Sequence, residues 1–248
     1  MDKNWLERTE LLIKETGLEN LHNSNVLVVG LGGVGSFAAE FLARAGVGSM
    51  TIVDGDTVDI TNINRQLPAL HSTIGKHKVE IVGDRLLDIN PKLNLIRINE
   101  FLNPDRMDEV FEGKNFDYVL DCIDSITPKL ALIVAAKRRK IKVVSCMGAG
   151  GKTDPAKVLV RDISKTQHCH LARQIRKRLK KVKIDKGVRC VFSDDIQDEE
   201  SLKMTDGSNY KRSFYGTISY MPAIFGLYAA SEVINYLVKK TDSPDAEL

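Results

Sequence analysis

The residues Gly30-Leu31-Gly32-Gly33-Val34-Gly35 close one apolar run and open a stretch of helical periodicity. Glycines in that setting permit a tight turn and let phosphate oxygens approach the backbone. The helix start behind them supplies unpaired N–H groups and a partial positive charge. Asp54 ends the next apolar run, nineteen residues after Gly35. A carboxylate there can accept hydrogen bonds from a ribose diol. Together these residues suit a nucleotide, but an NAD-dependent dehydrogenase would show the same pattern.

The segment that follows narrows the chemistry. Asp54-Gly55-Asp56-Thr57-Val58-Asp59 leads into Thr61-Asn62-Ile63-Asn64-Arg65-Gln66. A dinucleotide fold has no need of a polar, arginine-bearing segment after its ribose acid, whereas a triphosphate needs its charge offset. Arg65 can fork onto phosphate oxygens, and Asn62 can donate an amide hydrogen bond. Lys78, in Gly75-Lys76-His77-Lys78-Val79-Glu80 at a predicted helix start, can set a point charge on the phosphates. Asp121-Cys122-Ile123-Asp124-Ser125 closes a further apolar run. Ligands of open parallel sheets sit at the carboxyl ends of strands, and a carboxylate there can hold Mg²⁺, which bridges phosphate oxygens. Asp124 is the favoured metal ligand. Asp121 is open to the same role or to that of a structural cap.

Periodicity supplies the elements that must position these residues. Residues 1–24 read as helical through Leu6, Leu11, Leu12, Leu18 and Leu21. Asn25–Val29, Met50–Val53, Leu93–Ile98, Tyr118–Ile123 and Lys142–Cys146 read as strands. Ser36–Ala45, Lys76–Asn90 (stopped by Pro91) and Lys129–Lys140 read as helices. This alternation predicts an α/β fold, Rossmann-like and doubly wound, with a mostly parallel sheet. After Gly151 the pattern changes. Strands at Val158–Asp162 and Val188–Phe192 flank a basic helix, a polar loop covers 193–212, and an apolar helix covers 216–237. The second half thus reads as a C-terminal α/β elaboration, giving one domain over 1–240 and a flexible tail over 241–248.

Hydrophobic residues at 43% and charged residues at 28% are the proportions of a folded chain with a core. A net charge of +3 is too mild to announce a nucleic-acid partner. Its distribution says more: 173–186 (RQIRKRLKKVKIDK) is basic and 193–200 acidic, and such clusters create fields that the total hides. The polar N-terminus lacks a signal-peptide pattern, and four scattered cysteines without a CxxC pair suit a reducing, cytoplasmic setting. The run 216–237 has spanning length, but Thr217, Ser219, Pro222, Ser231, Glu232 and Asn235 make it a core or dimer-interface helix rather than a membrane span.

Taken in order, GxGGxG, D-x-D-x-V, N-x-x-R-Q, K-V-E and D-C-x-D resemble the motifs of the E1-like (ubiquitin-activating-like) adenylating superfamily over residues 8–148. The resemblance implies an ATP site made by Gly33, Asp54, Asn62, Arg65, Gln66, Lys78 and Asp124, with Gly30, Gly32, Gly35 and Asp56 in the same motifs. It implies an arginine, here Arg8, donated by the N-terminal helix of a partner subunit, and so a homodimer. Mg²⁺ bound with ATP at Asp124 is implied as well, and a monovalent cation, Na⁺ or K⁺, held by backbone carbonyls is a further suggested cofactor. The implied chemistry is attack of a carboxylate on the α-phosphorus of ATP, giving an acyl-adenylate and pyrophosphate. Arginine, lysine and Mg²⁺ stabilise the charge, and no protein nucleophile is needed.

The second half resembles the tRNA threonylcarbamoyladenosine dehydratase branch in Arg161-Asp162-Ile163-Ser164-Lys165-Thr166, Leu171-Ala172-Arg173, Arg176-Lys177-Arg178-Leu179-Lys180-Lys181, Val191-Phe192-Ser193 and the run from Gly216 to Pro222. Superfamily members that adenylate sulfur-carrier or ubiquitin-like proteins usually carry two CxxC pairs for zinc. This chain has none, and His168-Cys169-His170 lacks a second pair at zinc-finger distance, so no zinc site is expected. The branch implies cyclisation of N6-threonylcarbamoyladenosine at position 37 of tRNA: the threonyl carboxylate is adenylated, the carbamoyl nitrogen closes a hydantoin ring and AMP leaves. tRNA carrying that nucleoside becomes the partner. Lys165, Arg173, Arg176 and Arg178 are the expected RNA contacts, since basic residues neutralise phosphates and release counterions. A cysteine desulfurase or sulfur-acceptor system is a further partner consistent with the resemblance. Some members of the branch carry a cysteine before the final apolar helix, whereas 204–219 contains none. A thiol role would fall to Cys169 or Cys190 only if exposed with a lowered pKa. The alternative function is an adenylyltransferase for a ubiquitin-like sulfur-carrier protein.

Overall fold

Short apolar runs without polar alternation must be covered on both faces, as in a parallel sheet packed between helices. The computed structural model, which describes residues 4–205 and 213–240, has that architecture. Its strands are β1 (Asn25–Val29), β2 (Ser49–Val53), β3 (Asn94–Ile98), β4 (Tyr118–Asp121), β5 (Lys142–Cys146), β6 (Val158–Asp162) and β7 (Arg189–Ser193). They form one sheet in the order β3-β2-β1-β4-β5-β7-β6. Every pairing is parallel except the edge pair β6–β7, which is antiparallel. The helices are α1 (Glu7–His22), α2 (Gly35–Arg44), α3 (Lys78–Ile89), α4 (Ile126–Arg138), α5 (His170–Lys181) and α6 (Tyr220–Val238). The expected tail over 241–248, and residues 206–212 of the expected polar loop, lie outside the described residues.

Alternate residues of each strand serve different cores. Val26, Val28, Ile52, Leu120 and Val144 pack with residues of α2, α3 and α6 on one face. Leu27, Val29, Val119 and Val143 pack with α4 and α5 on the other. α6 is long and apolar enough to cross a membrane, but it serves as a core helix here. Met221, Phe225, Ala229, Val233 and Leu237 are buried along one side. Gly226 lies so close to α2 that a Cβ there would stand 2.4 Å from the Val34 carbonyl oxygen. The one charge of α6, Glu232, pairs with Arg189 at the start of β7 at 2.6 Å.

Several boundaries differ from the periodicity. α1 is kinked where Lys14 takes φ 65°. α3 begins at Lys78, because His77 forms a bridge with Thr57 and the Lys78 N–H donates to Asp56 O. α4 begins at Ile126, with Pro128 in the first turn where its missing N–H costs nothing. β4 ends at Asp121 rather than Ile123. Part of the expected loop forms a hairpin of two strands, β8 (Leu202–Met204) and β9 (Ser213–Tyr215), and α6 starts at Tyr220 rather than Gly216.

Between β4, β5 and α4 lies a fully buried ion pair. Lys129 Nζ is 2.8 Å from Asp121 Oδ2, and neither side chain is exposed. Ser145 Oγ donates to the same oxygen at 2.6 Å and accepts from Lys129 at 3.1 Å, while Ile123 N–H donates to Asp121 Oδ1 at 3.1 Å. Removing one partner of such a pair leaves an uncompensated buried charge. Lys129→Met is therefore expected to destabilise the protein by about 3–5 kcal/mol, read as a lower urea midpoint. Asp121→Asn in the same chain should recover most of the loss.

Candidate active site

The strand order turns back between β1 and β4, and at such a point a crevice opens beyond the carboxyl ends of the strands. Gly30 takes φ +89° on leaving β1, and a Cβ there would stand 2.9 Å from the Cys122 carbonyl oxygen at the end of β4. A Cβ on Gly35 would fall 1.7 Å from Gly30 O. Both positions therefore need glycine. α2 starts immediately afterwards with no side-chain cap; the Ser36 N–H donates to Gly32 O at 3.2 Å, and a helix start of this kind favours an anion. Gly33 is closed from the far side by α6, where a Cβ would come within 2.9 Å of Pro222 Cβ and 3.1 Å of Arg65 O. Gly32 sits beside the Gln66 side chain at ordinary contact distance.

Asp54 stands at the end of β2. Its Oδ2 accepts from Leu31 N–H at 2.6 Å and its Oδ1 from Asp56 N–H at 2.8 Å. Burial pushes its carboxyl above the ordinary value, against the opposing pull of Lys78 and the two N–H bonds. Each oxygen keeps a further lone pair for an incoming hydroxyl. Lys78, at the start of α3 and 4% exposed, lies 2.9 Å from Asp56 Oδ2. Asp56 is thus the ion-pair partner of Lys78, and the two carboxylates bracket one ammonium.

The polar segment after β2 forms a short 3-10 turn, Ile60–Asn62, in which buried Asn62 Oδ1 accepts from Asp59 N–H at 3.2 Å. Arg65 is half-buried. Its Nη1 donates to Thr61 O at 3.0 Å and to Asn64 Oδ1 at 2.8 Å. Burial lowers the Arg65 pKa, and the nearby Asp124 carboxylate opposes that shift. Gln66 Oε1 is buried without a hydrogen-bond partner, an acceptor suited to a ligand donor at the glycine turn.

The two acids after β4 divide their roles. Asp121 is held by Lys129, Ser145 and Ile123 N–H and is a structural group, which settles the alternative left open for it. Asp124, three residues on, is exposed. Among the described residues no three of His, Cys, Asp or Glu gather as a metal site. A single exposed carboxylate beside Arg65 does fit Mg²⁺, which keeps waters and takes one or two carboxylates together with substrate phosphates.

Other expected residues lie elsewhere. Leu6 packs on Gly46, just past the far end of ten-residue α2 from the glycine turn. At 1.5 Å per residue that is about 15 Å away, so Arg8 is not brought to the crevice of its own chain. Arg173 and Arg178 are exposed on α5, whose other side buries Ala172, Ile175 and Leu179, and Lys165 is exposed just before it. Arg176 is half-buried, and its Nη1 donates to Thr166 O at 2.8 Å and Thr166 Oγ1 at 2.6 Å, so it braces the loop into α5. Cys169 and Cys190 are buried, and burial pushes the Cys190 thiol well up, so the condition for a reactive thiol at either position is not met. Asn64 and Thr217 belong beside the crevice although motif reading gives neither a role: Asn64 Nδ2 donates to Thr217 O at 3.0 Å. Their sequence signal is position alone: Asn64 is a variable place within N-x-x-R-Q, and Thr217 lies in the run from Gly216 to Pro222.

With this geometry in hand, comparison with known proteins is informative. The model of the ThiF family matches residues 6–247. The tRNA threonylcarbamoyladenosine dehydratase of Bacillus subtilis is 41% identical over 94% of each chain. The crystal structure of the E. coli tRNA N6-threonylcarbamoyladenosine dehydratase, TcdA, in complex with ATP superposes with a TM-score of 0.85 at 35% identity, covering 96% of each chain. The molybdopterin-synthase adenylyltransferase of Salmonella typhimurium is 39% identical, but over 129 residues, 52% of this chain. The likeness to that adenylyltransferase thus covers half the chain and the likeness to the dehydratases nearly all of it: the chain belongs to the ThiF family of E1-like adenylating proteins, in its tRNA threonylcarbamoyladenosine dehydratase branch.

Proposed function

We propose that the protein is an ATP-dependent dehydratase that cyclises N6-threonylcarbamoyladenosine at position 37 of tRNA. The observation that carries this reading is the match to dehydratases along nearly the whole chain; Asp54 bonded to the glycine turn, Lys78 paired with Asp56, and Asp124 near Arg65 support it. The reading treats residues 1–240 as one adenylating domain and 241–248 as a tail.

Asp54 accepts the ribose hydroxyls of ATP, and the N–H groups at the start of α2 receive its phosphates. Lys78 is held ready by Asp56, and the phosphates replace part of that contact. Asp124 would hold Mg²⁺ brought in with ATP, and the ion would supply positive charge against the phosphates. The threonyl carboxylate is already ionised at neutral pH, so it attacks the α-phosphorus without a general base. As pyrophosphate leaves, Arg65 and Lys78 stabilise the charge that builds on it. The carbamoyl nitrogen then attacks the activated carbonyl carbon, loses its proton, and displaces AMP as the ring closes. Water leaves the nucleoside only in the net sense, its oxygen carried away on AMP.

Arg8 completes this site only from a second copy, which makes the working form a homodimer. Leu11 and Leu12, 69% and 81% exposed on the same helix, supply apolar surface for that contact. The tRNA lies along the outer face of α5, on Lys165, Arg173 and Arg178, with Arg176 as a brace. A cysteine desulfurase or sulfur-acceptor partner would have to bring its own reactive thiol, because all four cysteines here are buried or half-buried. Na⁺ or K⁺ enters through the family resemblance, and the cytoplasm through the location of the tRNA substrate.

Incubation with ATP, Mg²⁺ and tRNA bearing threonylcarbamoyladenosine, followed by mass analysis of the nucleosides, tests the reading. It predicts loss of one water from that nucleoside with one pyrophosphate released per event. Pyrophosphate release that needs a small carrier protein instead would contradict it. Subunit sharing has its own test. Arg8→Ala and Asp124→Asn are each expected to be inactive, and refolding or coexpressing the two together should restore part of the activity, since mixed dimers hold one intact site.

A further inference from the structure

The loops that leave β5 and β7 enclose a cleft of about 710 Å³, within the ordinary range of small-molecule sites. Gly151–Thr153, Asp195, Ser201 and Gly216–Ser219 form its walls, and Asn64 lies on its rim. The walls are fixed by backbone pairing. Gly151 N–H donates to Gly216 O at 2.8 Å, Asp198 N–H to Gly151 O at 2.8 Å, and Gly216 N–H to Ser201 O at 2.9 Å. Tyr220 Oη donates to Thr153 O at 2.9 Å.

Lys152 is the only cation lining the cleft among the described residues, and its charge is already engaged. It is 3% exposed, and Nζ donates to the carbonyls of Asp195 at 2.5 Å, Ser193 at 2.9 Å and His168 at 3.4 Å. Asp195 is engaged as well, accepting from Asp154 N–H, Thr153 N–H and Lys157 Nζ. What remains for a ligand is backbone, the hydroxyls of Thr153, Thr217 and Ser219, the apolar side chains of Ile196 and Ile218, and the carboxylate of Asp198, which also accepts from Glu200 N–H. Such a surface suits a neutral, hydrogen-bonding ligand and is a poor fit for a triphosphate.

Asn64 joins the cleft to the nucleotide crevice. Its Oδ1 accepts from Arg65 and its Nδ2 donates to Thr217 O, so the wall of one site is the rim of the other. On the opposite side, the carbonyl of His168 held by Lys152 stands two residues before basic α5 begins.

We propose that this cleft receives the modified adenosine itself, with its base and carbamoyl group against Thr153 and Thr217 and its threonyl carboxylate directed past Asn64 toward Arg65. The proposal rests on the dehydratase reading. It adds that the two substrates occupy neighbouring pockets, one rich in cations and one whose single lining cation is already engaged, and that Thr153 and Thr217 set specificity for the nucleoside. A nucleotide taken out of its stack into such a pocket is read by hydrogen bonds to its polar edge.

Thr153→Trp fills the cleft without touching the nucleotide crevice, and Thr153→Ser preserves it. The tryptophan variant is expected to raise KM for the modified tRNA at least about tenfold and to leave ATP affinity and melting temperature unchanged, with the serine variant near wild type. In a measurement that needs no variant, free N6-threonylcarbamoyladenosine should show saturation-transfer contacts with wild-type protein already saturated with a non-hydrolysable ATP analogue. An active wild type whose tryptophan variant keeps its KM, or a nucleoside that binds only by displacing the ATP analogue, would overturn the cleft assignment and leave the dehydratase reading standing. A wild type that dehydrates no tRNA nucleoside would overturn both.

Discussion

The carboxylate of Asp54 is the joint on which the rest of the site depends. It accepts one N–H from the glycine turn, at Leu31, and one from its own loop, at Asp56. Those two bonds tie the start of α2 to the segment that carries Asp56 and, through it, Lys78. Burial disfavours the ionised form of Asp54, and Lys78 together with the N–H donors opposes that. A carboxylate held in this way is fixed before any ligand arrives, so little ordering of it remains to be done on binding.

The sheet keeps that joint in register with the acid opposite. β1 and β4 are adjacent and parallel, so the glycine turn and Asp124 leave neighbouring strand ends on the same side. The buried pair of Asp121 and Lys129, with Ser145 between β4 and β5, anchors the loop on which Asp124 stands. α6 reaches the same place from the other end of the chain, packing on α2 through Gly226 and meeting Gly33 through Pro222. The C-terminal helix thus acts as part of the nucleotide site although it carries none of its charged groups.

Much of this was legible in the sequence because each feature has a local cause. The central strands β1, β2, β4 and β5 read as apolar runs because they are buried on both faces, and the glycine turn reads from its spacing because Gly30 and Gly35 admit no side chain. Asp54, Arg65 and Lys78 stand out because charge clustered within a short span needs a reason. Other features depend on contacts that no local pattern encodes. Asp121 and Asp124 look alike in sequence, and only the packing of α4 shows that one is paired with Lys129. A lone lysine within the apolar run of α4 was the available signal for that pair. Arg176 looks like its basic neighbours, yet its guanidinium is turned inward onto Thr166. The strands of the β8–β9 hairpin are three residues each and exposed or half-buried, too short for Leu202-Lys203-Met204 to stand out from the polar residues around it.

The most direct test of the role given to Asp54 is the affinity of the protein for ATP and for 2′,3′-dideoxy-ATP, measured calorimetrically on the wild type and on Asp54→Asn. If the carboxylate holds the ribose, the wild type binds the dideoxy nucleotide more weakly than ATP, while the asparagine variant binds both with the same reduced affinity. A wild type indifferent to the ribose hydroxyls, or a variant that still prefers ATP by the same factor, would show that the nucleotide is held in some other way.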